Sequence, residues 1–230
     1  MTTAVILVST ILCGIFGVVF VKKTFEQNYK SCFIFKGLAS LCFVIAGLIG
    51  LLMSNLPASS WLIYLGLMLG LVGDQYLAMR YLVSRTEHMT MFKRGTLSFM
   101  LGHVCYIIAL LLIGGFRIFI PAIPYLVIGF ILAYIYDLKL NDVSESAMKK
   151  SGYLYVGLVI LMAACAFGCA IYLKGTSSIL FAIGGFLFAV SDVVLIANTF
   201  GNNYKNYRHA VVHATYWPAQ LLIAYSLFFM

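Results

Sequence analysis

The stretch WLIYLGLMLGLVGDQYLAMR, residues 61–80, carries a single charge, Asp74, in the nineteen positions before Arg80. A bilayer core about 30 Å thick is crossed by roughly 20 apolar residues in a helix rising ~1.5 Å per residue. The stretch therefore reads as a transmembrane helix that takes a carboxylate into the membrane. Its composition extends over the whole chain. Of 230 residues, 63% are hydrophobic and 10% charged, and the mean hydropathy is +1.02. A soluble domain carries roughly a quarter of its residues charged, so a soluble globule is excluded. Disorder is excluded too, because disordered chains are poor in aromatic and aliphatic residues. What remains is a polytopic, all-α integral membrane protein with no room for a soluble catalytic domain.

Working outward, apolar runs broken by charge and turn residues give eight spans in one transmembrane domain covering residues 1–230. They are 4–21, 33–53, 61–81, 96–114, 118–136, 152–173, 179–199 and 210–229. The first is read as a span, since no basic residue precedes it and no small-residue cleavage site follows. Gly114-Gly115-Phe116-Arg117 predicts a tight hairpin between spans four and five. Pro57, Pro121 and Pro124 sit near span ends, while Pro218 falls inside span eight and predicts a kink. The six cysteines read as small packing residues, and no metal-ligand spacing is present.

The net charge of +8 could suggest nucleic acid, but its distribution gives another cause. Lys22, Lys23, Lys30, Arg80, Arg85, Lys93, Arg94, Lys139, Lys149, Lys150, Lys205 and Arg208 fall in the odd-numbered loops. Only Arg117 and Lys174 fall in the others. The positive-inside rule then makes the odd loops cytoplasmic and both termini non-cytoplasmic. The partners implied are membrane lipid, not nucleic acid. A bacterial inner membrane and an endoplasmic reticulum membrane fit equally, and no residue pattern sets an oligomeric state.

With that orientation, Asp74, Asp192, His103, Lys36, Tyr216 and Gln220 all fall in the inner-leaflet half of their spans. An acid near the bilayer centre costs a few kcal/mol and must face a partner or a polar interior. One reading is helix glue, with the acids paired to Lys36, His103 or tyrosine hydroxyls. The other is a functional site. Phe99, His103 and Tyr106 share one helix face, as do His213, Tyr216 and Gln220. Asp137 reads as interfacial, His213 as a packing or interfacial residue, and His88 and His209 as solvated. A short echo links Val72-Gly73-Asp74 with Leu77 to Val190-Ser191-Asp192 with Leu195. A His-x-x-Tyr follows each on the next span, suggesting two halves that bring two acids together.

These motifs resemble those of the YhhN-like membrane proteins, the lysoplasmalogenase family. Phe35-Lys36-Gly37-Leu38 is similar to that family's Lys-Pro-Leu element, and Leu71-Val72-Gly73-Asp74 follows it. Phe92-Lys93-Arg94-Gly95, Phe99, Gly102-His103 and Tyr106 resemble a Phe-x-x-Gly … Phe-x-x-Gly-His-x-x-Tyr signature. Tyr155 with Met162, Ser191-Asp192 and Tyr216-Trp217-Pro218-Ala219-Gln220 complete the order, one element per expected helix. Gly37 stands where the family has Pro, and Trp217 where it has Tyr.

The resemblance implies hydrolysis of the vinyl ether bond of lysoplasmalogens to a fatty aldehyde and glycerophosphoethanolamine or glycerophosphocholine. The partner it implies is a lysophospholipid substrate, and no cofactor or metal is required. Vinyl ether hydrolysis needs an acid to protonate the β-carbon and a base to activate water. Two carboxylates in unlike surroundings suit those roles. The implied catalytic residues are Asp74, Asp192 and His103, with acid and base not distinguished between the two aspartates. Lys36 holds the phosphate or sets an aspartate's charge, Tyr216 and Gln220 orient water or the glycerol hydroxyl, and Tyr106 and Arg94 complete the substrate-binding set. The competing class is a small proton-coupled transporter built on the intramembrane acids. A third reading is a zinc hydrolase with His103, His213 and an aspartate as ligands, although only one of these histidines sits in a motif and zinc needs three good ligands plus water.

Overall fold

The computed structural model describes residues 2–139, 146–200 and 206–230. Eight long helices account for nearly all of them, and the described residues contain no strand. The helices are α1 (Thr2–Phe25), α2 (Tyr29–Met53), α3 (Ala58–Met79), α4 (His88–Gly114), α5 (Phe119–Lys139), α6 (Ser146–Leu173), α7 (Thr176–Phe200) and α8 (Asn206–Ser226). Among the described residues, α1, α2, α3, α4, α6 and α7 are long and apolar enough to cross a membrane. α5 adds a shorter apolar stretch, Phe116–Leu132, and α8 carries His213, Tyr216 and Gln220 into the interior. The polytopic all-α reading stands.

Most helices begin before their apolar runs do. α4 begins at His88, eight residues before the run does, because charged residues such as Lys and Arg are good helix formers. Leaving the hydrocarbon does not end a helix; a local backbone signal does. Gln27, Leu56 and Lys174 take positive φ values of 55°, 53° and 54°, and Gly115 takes 64°. The α1–α2 connection shrinks to Glu26, Gln27 and Asn28. The Asn28 side chain then caps α2 by accepting the Ser31 N–H at 3.2 Å. α8 runs through Pro218 without ending.

Packing follows chain order with one exception. α1, α2, α3 and α4 are successive neighbours, α4 packs on α6, and α6 leads through α7 to α8. α8 returns to α3, α2 and α1, so α2, α3, α4, α6, α7 and α8 close around a common interior. The expected α4–α5 hairpin does not form as a packed pair: α5 packs on α6 and hardly touches α4. The cause is the 3-10 turn Phe116–Ile118. Its Ile118 is buried against Gly114, and a methyl on Gly168 of α6 would run into the Ile118 carbonyl. α6 therefore takes the place beside α4. All six cysteines are free, and all but Cys105 are buried.

α3 and α4 pack closely against each other. Side chains of α4 lie directly on the α3 backbone: a methyl on Gly66 would stand 2.3 Å from the Tyr106 ring, and one on Gly73 2.7 Å from the Phe99 ring. Small residues that let helices approach are the usual basis of packing in lipid, where burial from water gives no drive. The approach turns Phe99, His103 and Tyr106 inward, as their spacing predicts, and all three are buried. Gly66→Ala is expected to cost about 1–3 kcal/mol by overpacking. A lowered melting temperature in detergent checks this, with Gly157→Ala as a neutral control, since nothing lies within 4 Å of a methyl at Gly157.

Candidate active site

Asp74 sits on α3, five residues before the helix ends at Met79. It is 1% exposed, so its carboxylate must be met by the protein. Lys36 Nζ of α2 stands 3.1 Å from Oδ1, and the Ser40 hydroxyl donates to Oδ2 at 2.6 Å. Lys36 and Ser40 lie four residues apart on one face of α2, so one helix edge supplies both groups. Lys36 also stands 6.0 Å from the centre of the Phe20 ring of α1.

A second polar chain reaches Asp74 from the other side. The Tyr106 hydroxyl donates to Gln220 Oε1 at 2.9 Å. Gln220 Nε2 donates to the Tyr216 hydroxyl at 3.2 Å. That hydroxyl interacts with the Asp74 carboxylate and lies 3.5 Å from the Gly70 carbonyl. The donors run from Tyr106 through Gln220 to Tyr216, whose hydroxyl donates to the Gly70 carbonyl beside Asp74. Buried polar groups are costly unless fully satisfied, and here they connect α4, α8 and α3.

Asp192 on α7 is met differently. Tyr155 of α6 donates to Oδ2 at 2.8 Å, and the Ser191 hydroxyl lies 3.4 Å from Oδ1. His103 Nε2 stands 3.6 Å from Oδ2. That is within ion-pair range but beyond a hydrogen bond, and both ring nitrogens of His103 are buried without a hydrogen-bond partner. The imidazole is held by edge contacts with the Phe188 ring at 4.7 Å and the Tyr155 ring at 5.8 Å. Asp74 thus faces a lysine, whereas Asp192 faces a phenol and an imidazole.

Both carboxylates line one cavity of about 480 Å³, together with Lys36, Phe99, His213 and Tyr216. Leu77 and Leu195, the matching residues of the sequence echo, line it as well. The halves exchange partners: His103, from the first half, stands by Asp192, and Tyr216, from the second, reaches Asp74. The cavity extends to the end of the bundle that carries the α1–α2 and α3–α4 connections, where Gln27, Arg80, Tyr81 and His88 line it.

Of the residues singled out in the sequence, Asp74, Asp192, Lys36 and Tyr216 line the cavity. His103, Tyr106 and Gln220 are buried behind it and bond or pair with those that do. Arg94 is exposed and does not line the cavity. His213 is a packed histidine, stacked on Trp217 with centres 4.7 Å apart and meeting Phe20 edge-on. His88 is half-buried against Tyr81 rather than solvated. The side chains of Asp137 and His209 lie outside the described residues. Ser40 and Arg80 were not singled out, and Tyr155 entered only as a motif residue. Ser40 has a legible signal, one helical turn beyond Lys36, whereas Arg80 is one of many basic loop residues. Among the described residues, no cluster of His, Cys, Asp and Glu could hold a metal ion.

The class defined by this fold and site is a helical membrane protein with two buried acids facing a shared cavity. The YhhN family model matches residues 31–227, a range that includes every candidate site residue, and the chain belongs to that family. No curated protein and no solved structure matches it.

The Lys36–Asp74 pair carries a direct stability test. Removing one partner of a buried ion pair leaves an uncompensated charge and costs about 3–5 kcal/mol. Lys36→Met is expected to lower the melting temperature sharply in detergent. Lys36→Met combined with Asp74→Asn is expected to recover part of that loss.

Proposed function

We propose that this protein hydrolyses the vinyl ether bond of lysoplasmalogens, releasing a fatty aldehyde and a glycerophospho-base. The observation that carries the reading is the pair of carboxylates, Asp74 and Asp192, facing one cavity with unlike partners. Family membership supports the same reading. An acid and a base are the chemical requirement of the reaction, with water as the nucleophile and no covalent protein intermediate or metal required. In the intact protein the odd-numbered connections face the cytoplasm, so the cavity opens toward the inner leaflet, where a lysophospholipid lies.

Unlike partners separate the roles. Asp74, ion-paired with Lys36 and bonded by Ser40, is the ionised carboxylate. Asp192, which lines the cavity beside Tyr155 and His103, takes the role of proton donor. Asp192 gives its proton to the β-carbon of the vinyl ether, and the alkene electrons form that C–H bond. The adjacent carbon and oxygen become an oxocarbenium ion, which the Asp74 carboxylate stabilises. Asp74 takes a proton from water as its oxygen bonds to the cation, giving a hemiacetal. Collapse of the hemiacetal breaks the carbon–oxygen bond to glycerol. The leaving oxygen takes the proton from Asp74, and the hydroxyl proton of the hemiacetal returns to Asp192. The sum is one water consumed, with both groups restored. Tyr216, fixed by Gln220 and Tyr106, orients the water.

General acid–base groups contribute about 10²–10⁴-fold to rate. Asp74→Asn and Asp192→Asn are each expected to lower aldehyde release by at least about 10²-fold. Purified protein in detergent with lysoplasmenylethanolamine is the assay. Retention of most activity in either variant sinks the paired-acid mechanism. Turnover without any ion gradient separates the hydrolase from a proton-coupled transporter.

A further inference from the structure

Lys36 is committed to Asp74 at 3.1 Å, which leaves the phosphate of an amphiphilic ligand without its expected cation. A second cation lines the same cavity nearer its mouth. Arg80 caps the C-terminal end of α3, six residues past Asp74 and so about 9 Å further along the axis.

Arg80 is not placed as an ordinary topology-setting charge. Arg85 and Arg94 are exposed, whereas Arg80 is half-buried. Its guanidinium lies 4.6 Å from the Tyr81 ring centre and 5.5 Å from that of Phe92, and it donates to the Tyr81 hydroxyl. Tyr81 is itself fixed by stacking on Tyr29, with ring centres 5.2 Å apart, and by an edge contact with His88. The fork is therefore held from two sides. Among the described residues no carboxylate pairs with it, and its Nε is buried with no hydrogen-bond partner. A buried donor left unpaired costs free energy, and a planar guanidinium suits the oxygens of a phosphate.

We propose that Arg80 anchors the phosphodiester of an amphiphile whose glycerol reaches inward to Asp74 and Asp192. The site itself rests on geometry; only the ligand's identity as a lysophospholipid rests on the hydrolase reading. Arg80 holds the headgroup at the mouth, and Lys36 stays with the reacting centre.

The test is calorimetric binding to purified full-length protein in detergent, which needs no turnover. The probes are a saturated 1-O-alkyl lysophosphoethanolamine, the matching 1-O-alkylglycerol and inorganic phosphate. The wild type is expected to bind the phosphorylated ether at least about tenfold more tightly than the alkylglycerol. Arg80→Gln is expected to remove at least about tenfold of affinity for the phosphorylated ether and to leave the alkylglycerol within about twofold. Arg80→Lys falls between them, because an ammonium lacks the bidentate fork. It also decides the matter if Arg80→Gln does not fold. Equal losses for both ethers, or no loss for either, overturn the proposal. Inorganic phosphate displacing the phosphorylated ether assigns the site to free phosphate and overturns the headgroup anchor. If binding behaves as expected while the wild type releases no aldehyde, the hydrolase reading fails and the anchor stands.

Discussion

The interior of this bundle depends on the ion pair between Lys36 and Asp74, 3.1 Å apart and almost wholly out of solvent. Neither charge would be tolerated alone in a membrane interior, where an unpaired ion costs several kcal/mol. Ser40 fills a remaining acceptor site of the carboxylate, and Tyr216, Gln220 and Tyr106 carry the network to α8 and α4. The pair therefore fixes more than α2 against α3. It sets where the close α3–α4 contact and the return of α8 must meet, and it keeps a polar space open among apolar helices.

The second carboxylate gives that space its chemistry. Asp192 has no lysine among its described partners; it has Tyr155, Ser191 and His103. Two acids alike in type are thus unlike in circumstance, the arrangement by which one fold can hold a proton donor beside a proton acceptor. The exchange of partners between the halves, His103 to Asp192 and Tyr216 to Asp74, ties both acids to the same interface. A shift of one half against the other would disturb both roles together. Part of the helix-glue reading is present as well, since each acid has a partner across a helix boundary, yet both still line the cavity.

Much of this was legible in sequence because a membrane makes burial readable. An apolar run fixes depth, so Asp74 and Asp192 declare themselves by being charged where charge is costly. The i, i+4, i+7 spacing of Phe99, His103 and Tyr106 gave the inward face of α4. The misses share a cause, which is that they depend on how helices end or on which neighbour arrives. Arg80 and His88 look like loop residues until the end of α3 and the early start of α4 bring them to the cavity. Tyr155 gains its role only because α6 packs beside α4. That in turn follows from Ile118 and the turn that moves α5 outward, and no periodicity encodes it. Arg94 lies on the exposed side of α4, whereas Met91 and Gly95 of the same turn are buried.

The central claim, that Asp192 protonates the β-carbon of a vinyl ether while Asp74 activates water, is tested most directly by hydrolysis in heavy water. Purified protein would be given a lysoplasmalogen in D₂O, and the aldehyde would be reduced as it forms to prevent exchange. Mass spectrometry then locates the label. The mechanism predicts a single deuterium on the carbon next to the former carbonyl, with the labelled product lost in Asp192→Asn. Aldehyde without that deuterium, or labelled product formed as fast by Asp192→Asn as by the wild type, would contradict it.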